Sequence, residues 1–171
     1  MGHFAKVVDG KVTQDFLREL FDYANGTLIR KISRSRTAKA GDIAGCFDEK
    51  LGYHRVLIGG KSYLLHRIIF MHQHGYMPDY VDHINGVKTD NRIENLRVAT
   101  KAENSRNRAS NSNNTSGSKN VSWHKQHSKW GVSINVEGKK KHIGYFEDCE
   151  LADLVAAEAR QKYHGQFAHN F

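Results

Sequence analysis

The chain has 171 residues, 39% of them hydrophobic, with 26 Lys and Arg against 18 Asp and Glu, 11 His and a formal charge of +8. That length allows one domain or two small ones, and a basic balance of this kind most often meets a polyanion, although charge can also serve solubility alone. No run of eighteen apolar residues exists, the first residues lack a signal peptide's apolar stretch, and Cys46 and Cys149 stand too far apart for a cysteine zinc site or a disulfide framework. The expected setting is the cytoplasm, with no membrane and no small-molecule substrate.

Residues 13–23 predict a short helix, capped by Thr13, with Phe16, Leu17, Leu20 and Phe21 on one face. Asn25-Gly26 then turns the chain into a strand starting at Thr27. The loop from Ser33 to Lys39 carries Arg34, Arg36 and Lys39 without a hydrophobic anchor; it can touch phosphate or simply be solvated. Residues 52–66 predict two strands around Gly59-Gly60, with Val56 and Ile58 on one face and Arg55 and Leu57 on the other. A helix follows and ends at Gly75. Pro78 forces Met77 into an extended conformation and leads into a strand from Tyr80 to Ile84.

Asp82 and His83 are neighbours on that strand, so their side chains point to opposite faces unless the backbone is irregular. Asn85-Gly86 is a strong hairpin signal. The return run from Ile93 to Ala99 brings Asn95 near the turn, where its amide can hold backbone groups. Thr100 and Glu103 match a capping box, which puts Asn104 in the first turn of a helix over the hairpin. Hydrolysis of a phosphodiester needs a water nucleophile, stabilised phosphoryl oxygens and help for the departing 3′ oxygen. A hard cation on one carboxylate and one amide oxygen can supply the last two. A neutral imidazole nearby can take the water's proton.

Residues 105–120 are rich in Asn, Ser and Gly and supply no core, so they read as a helix tail and a flexible linker bracketed by Arg106, Arg108 and Lys119. Beyond it, Trp130, Val132, Ile134 and Val136 alternate with polar residues as a half-buried strand. It is flanked by strands from residue 120 and, after Glu137-Gly138, from Lys139. A helix over 150–163 carries Ala152, Val155, Ala156, Ala159 and Tyr163 as one stripe. The expected class is α+β. A β-rich N-terminal segment leads into a nuclease unit (1–108, core about 50–108), which the resemblance given below implies to be of ββα-metal type, then a linker (109–119) and a three-stranded antiparallel sheet on one helix (120–171).

Val81-Asp82-His83, the spacing to Asn95 within Glu94-Asn95-Leu96-Arg97, and Asn104 resemble the HNH endonucleases common in phages and among intron-encoded homing enzymes. The resemblance covers roughly residues 50–108. It implies that His83 is the general base, that Asp82 and Asn104 bind Mg²⁺ (or another divalent cation such as Mn²⁺), and that Asn95 braces the hairpin. No zinc is expected. His66-Arg67 matches a pair that precedes the family's motif and is expected to support the site or contact phosphate. Asn91 reads as turn chemistry and Asn107 as a phosphate contact at the helix tail.

Residues 117–171 are similar to AP2-type DNA-binding domains in Gly117–Val121, Lys129-Trp130, Ile143–Phe146, the alanine-rich helix and the ending from Tyr163 to Phe171. In that family the sheet enters the major groove. The family's usual arginines on the first strand are missing, so Ser122, His124, Lys125, Lys129, Ser133, Asn135, Lys140 and His142 are the expected contacts. The sequence thus predicts a site-preferring endonuclease acting on double-stranded DNA as a monomer or weak dimer. The alternative is a silent DNA-binding regulator using the AP2-like unit. RNA binding gets little support, since no aromatic stacking platform is evident in the sequence.

Overall fold

A computed structural model describes residues 12–106, 114 and 116–168. They form two compact units that divide between Thr100 and Lys101.

The first unit opens with helix α1 (Gln14–Leu20), whose N-cap Thr13 accepts a hydrogen bond from the Phe16 amide at 3.3 Å. The helix stops three residues before the expected end. Phe21 is already extended and starts β1 (Phe21–Ala24), which pairs with β2 (Thr27–Arg30). Asn25 and Gly26 between them have φ of 43° and 84°, the mirror-image turn that suits a twisted hairpin. Pairing across that turn overrides the helical stripe that runs on through Phe21.

Strands β3 (Cys46–Asp48), β4 (Tyr53–Ile58) and β5 (Lys61–Leu64) make an antiparallel sheet in that order. β3 is three residues without alternating hydrophobicity and has no sequence signal. On β4, Val56 and Ile58 are buried while Leu57 is exposed, the alternation the sequence predicts. Helix α2 (Leu65–His74) buries Leu65, Ile68, Ile69, Phe70 and Met71, and His66 and His72 with them. It ends at Gly75, left-handed at φ 81°, whose N–H reaches Met71 O at 2.9 Å. Strands β6 (Tyr80–His83) and β7 (Leu96–Ala99) pair in antiparallel register, His83 opposite Leu96 and Asp82 opposite Arg97. One core joins α1, β1, β2, β4, α2, β6 and β7, from Phe16 through Leu28, Val56 and Ile69 to Val81 and Leu96.

The second unit begins with the short helix α3 (Lys101–Arg106). Within the stretch expected as linker, Ser116 Oγ donates to Val121 O (2.9 Å) and Asn114 Nδ2 to Ser118 O (2.8 Å), side-chain bonds that fold the approach to β8. Strands β8 (Val121–His124), β9 (Lys129–Val136) and β10 (Lys139–Phe146) form an antiparallel sheet with β9 in the middle. Helix α4 (Cys149–His164), capped by Asp148, lays Ala152 and Ala156 on Val121 and Val132. The alanines let the helix lie close to the strands. Its stripe differs from the expected one, because Val155 and Tyr163 are only half-buried while Arg160 is 1% exposed. The Arg160 guanidinium donates to Lys119 O at 2.6 Å.

Candidate active site

Twelve residues, 84–95, connect β6 to β7, so Asn85-Gly86 is not the tight hairpin connection the sequence suggests. The loop is instead built from its own side chains. Asp90 takes hydrogen bonds from Arg92 Nε (2.8 Å) and NH2 (2.7 Å) and from Asn85 Nδ2 (2.8 Å). The Arg92 contacts hold the Asp90 carboxyl far below its ordinary range. Asn95 Oδ1 accepts from the Asn85 amide at 3.0 Å, and its Nδ2 donates to Asn85 Oδ1 (3.0 Å) and to Asp90 O (2.7 Å). Its position in a short 3-10 turn (Ile93–Asn95) aims the amide across the loop.

The N-terminal hairpin supports the same loop. The Tyr23 hydroxyl accepts from the Ile93 amide at 3.0 Å. A Cβ on Gly26 would lie 2.9 Å from Arg92 N, so only glycine allows that approach.

His83 ends β6 and is buried with Asp82, Asn91 and His66. Its Nε2 lies 3.0 Å from Asn91 Oδ1. An amide oxygen only accepts, so this contact places the proton on Nε2 and the lone pair on Nδ1. Burial lowers the His83 pKa below its ordinary value, against the opposing effects of the Asn91 hydrogen bond and the charges of Asp82 and Asp90. The His66 ring meets that of His83 edge-on at 4.8 Å, and Tyr53 packs on both rings at 5.3 and 6.1 Å. Burial, then the charges of His83 and Arg67, push His66 down to about 3. His66, expected as a DNA contact or a support, is buried against the His83 ring. Lys88 Nζ lies over the Tyr53 ring at 4.8 Å.

Asp82 faces Arg97 across the strands, with Arg97 Nε and NH2 at 3.0 and 2.8 Å from Asp82 Oδ2. Its buried carboxylate is a donor that suits a hard divalent cation and not a soft one. Among the described residues no three His, Cys, Asp or Glu side chains gather as a metal site. Mg²⁺ needs no such cluster, because one or two carboxylates, waters and substrate phosphate complete its shell. Asn104 lies half-buried on α3, in the second unit.

Several expected DNA contacts have other engagements. Arg67 donates to Asp79 O (2.6 Å) and Pro78 O (3.0 Å), so it fastens the turn before β6 instead of reaching outward. Lys119 is half-buried, and burial and Arg160 lower its pKa. Lys129 Nζ lies 3.2 Å from Glu147. Ser122, Lys125, Asn135, Lys140 and His142 are exposed, and His124 and Ser133 half-buried. Asn107 and Arg108, and the side chain of Arg106, fall outside the described residues. Sequence reasoning missed Asn91 as partner of His83, Arg97 as partner of Asp82, and Tyr53. Only the Asp82–Arg97 pair had a usable signal, since two facing strands of opposite charge predict it once the register is known.

A family model described as HNH endonuclease matches residues 63–106, which include β6, its loop, β7 and α3. Protein 3.8 of Escherichia phage T7 is 38% identical over 91 residues, 52% of this chain and 73% of that protein. No solved structure matches. No helix among the described residues is long and apolar enough to cross a membrane.

Proposed function

Since the chain belongs to the family of Protein 3.8 of Escherichia phage T7 and carries an HNH endonuclease domain over residues 63–106, we propose that it is a metal-dependent enzyme of homing type. It cuts double-stranded DNA with site preference. The observation that carries this reading is the buried His83, its Nε2 proton directed to Asn91 and its burial favouring the neutral ring.

In the proposed reaction His83 Nδ1 accepts a proton from the attacking water. Water oxygen bonds to phosphorus and the bond to the 3′ oxygen breaks; the 3′ oxygen takes a proton from solvent, His83 later returns its own to solvent, and a 5′ phosphate and a 3′ hydroxyl remain. Asn91 holds the imidazole in the tautomer this requires. His66 and Tyr53 fix the ring plane, and His66, neutral near pH 7, adds no charge that would oppose proton uptake by His83. Asp82 would hold Mg²⁺ or Mn²⁺, and the resemblance to the family gives Asn104 the role of second ligand. Once bound, that ion stabilises the phosphoryl and departing oxygens. Asn95 keeps the loop closed through its bonds to Asn85 and Asp90. The second unit, read as AP2-like, anchors the enzyme on DNA through its sheet.

One observation favours a second reading, a silent DNA-binding regulator: Arg97 already holds Asp82 Oδ2. Plasmid nicking separates the two. With Mg²⁺ the wild type cuts or nicks, and His83→Ala abolishes cutting while duplex binding stays. A wild-type chain that binds duplex DNA but never cuts it, across several metals and targets, leaves the regulator.

A further inference from the structure

The face of the second unit's sheet that points away from α4 carries a cluster of rings. Tyr145 on β10 is in register with Gly131 on β9, which is in register with Ser122 on β8. A Cβ on Gly131 would come within 3.3 Å of Tyr145 Cε1, so the tyrosine ring occupies the space a side chain would take. The register of β10 shifts between His142 and Gly144. That bulge inserts Ile143 and puts His142 and Tyr145, three apart, on one face. Ring centroids of His142 and His127 lie 4.4 Å from Tyr145, and His124 lies 5.1 Å away. His127 itself stacks on His124 at 4.7 Å.

Tyr145 keeps 39% of its surface exposed within this group. No aspartate or glutamate occurs on β8, β9 or β10, whereas Lys125, next to His124 in the chain, and Lys140, in register with Asn135, are exposed. Residues 117–168 contain a single arginine, Arg160, and it is buried on α4.

A basic face whose strands carry no carboxylate, with Glu147 at its edge paired to Lys129 at 3.2 Å, suits phosphate. Paired bases in a duplex offer only their edges, which arginine reads best, and this face has no arginine. What it offers is ring planes, and a plane is complemented by the face of an unpaired base. We propose that this face seats unpaired DNA bases on Tyr145 and its histidine neighbours, with Lys125 and Lys140 on the adjoining phosphates. The second unit thereby holds single-stranded or locally opened DNA. This rests on the reading that the chain acts on DNA.

The test uses the full chain in EDTA, so that binding is read without cleavage. Anisotropy titrations compare a short labelled oligodeoxythymidine, the same length of oligouridine and a DNA hairpin duplex. Tyr145→Ala is expected to weaken the single strand by about ten-fold or more, while Tyr145→Phe retains it and the duplex is unmoved. Unchanged single-strand affinity in Tyr145→Ala, equal losses on single strand and duplex, or a preference for oligouridine overturns the proposal. Photocrosslinking of wild type with iodouracil-substituted single-stranded DNA gives a readout free of folding effects. Crosslinks on the peptide carrying Tyr145 support the site, and crosslinks found only elsewhere overturn it. Plasmid nicking with Mg²⁺ is scored separately, so loss of the nuclease reading and loss of this one are told apart.

Discussion

His83 Nε2 and Asn91 Oδ1 face each other at 3.0 Å, one at the end of β6 and the other deep in the loop that follows. Because the amide oxygen can only accept, the loop decides which imidazole nitrogen carries the proton. Asn91→Ala is therefore expected to lower cleavage at least about ten-fold with little effect on DNA affinity. Asn91→Asp adds a negative charge beside the ring, which favours imidazolium, so the acid limb of the rate profile moves to higher pH. Initial nicking rates across a pH series check both; an unshifted limb in Asn91→Asp removes Asn91 from the role.

Stability is expected to fall in mild acid. The His66 pKa is about 3 in the folded chain against an ordinary 6.5. Between those values the unfolded chain binds a proton that the folded chain refuses, so the stabilisation is complete above about 6.5 and drains away as pH drops toward 3. At pH 5 the loss from His66 alone is about 2 kcal/mol. Burial shifts His83 and His72 in the same direction, which adds to it. Urea titrations at pH 7 and pH 5 measure the difference, and His66→Gln should shrink it.

Asn95→Ala removes three loop hydrogen bonds at once and leaves the Asn85 amide and the Asp90 carbonyl without this partner. The expected cost is about 2 kcal/mol in the first unit, with cleavage falling alongside. A thermal melt unchanged from wild type would show that the loop holds itself through Asp90 and Arg92 alone.

Gly26→Ala combines a left-handed backbone at φ 84° with a Cβ 2.9 Å from Arg92 N. It should destabilise the first unit by more than about 1 kcal/mol. It should also lower nicking, although residue 26 is far in sequence from His83, because Arg92 and Ile93 are pushed from their places. Normal activity per folded molecule would separate the hairpin from the site.

Salt dependence tests the lysines of the sheet. Lys140→Ala and Lys129→Ala should each reduce the slope of log K against log salt by about 0.9 if each meets one phosphate. The Lys129–Glu147 pair has side-chain exposures of 42% and 85%, so it opposes a phosphate contact only weakly.

Local signals were legible where one residue type has one conformational use. Asn25-Gly26, Gly59-Gly60 and Gly75 each punctuate the chain as their backbone freedom predicts, and Val56 and Ile58 alternate into the core. Phe21 was not legible, because it fits the helical stripe of Phe16 and Leu17 while its strand partner Arg30 is fixed by a turn downstream. Asn91 looks like any loop asparagine until the fold buries it against His83. Arg160 sits in an alanine stripe, and its burial depends on partners such as Lys119 O that the stripe does not announce. Asp82 and Asn95 were read from spacing, but their partners Arg97 and Asn85 depend on a twelve-residue connection whose path no dipeptide announces.

The contacts of Tyr23 and Gly26 with residues 92 and 93 bear on how such a nuclease module can be exchanged between genes. The recognisable motif begins at residue 63, yet the core that supports it begins at Phe16. A recombination crossover placed just ahead of the motif would hand the recipient a loop with no hairpin behind it. A working graft should accordingly run from α1 through α3, and grafts cut at the motif's start should arrive unfolded.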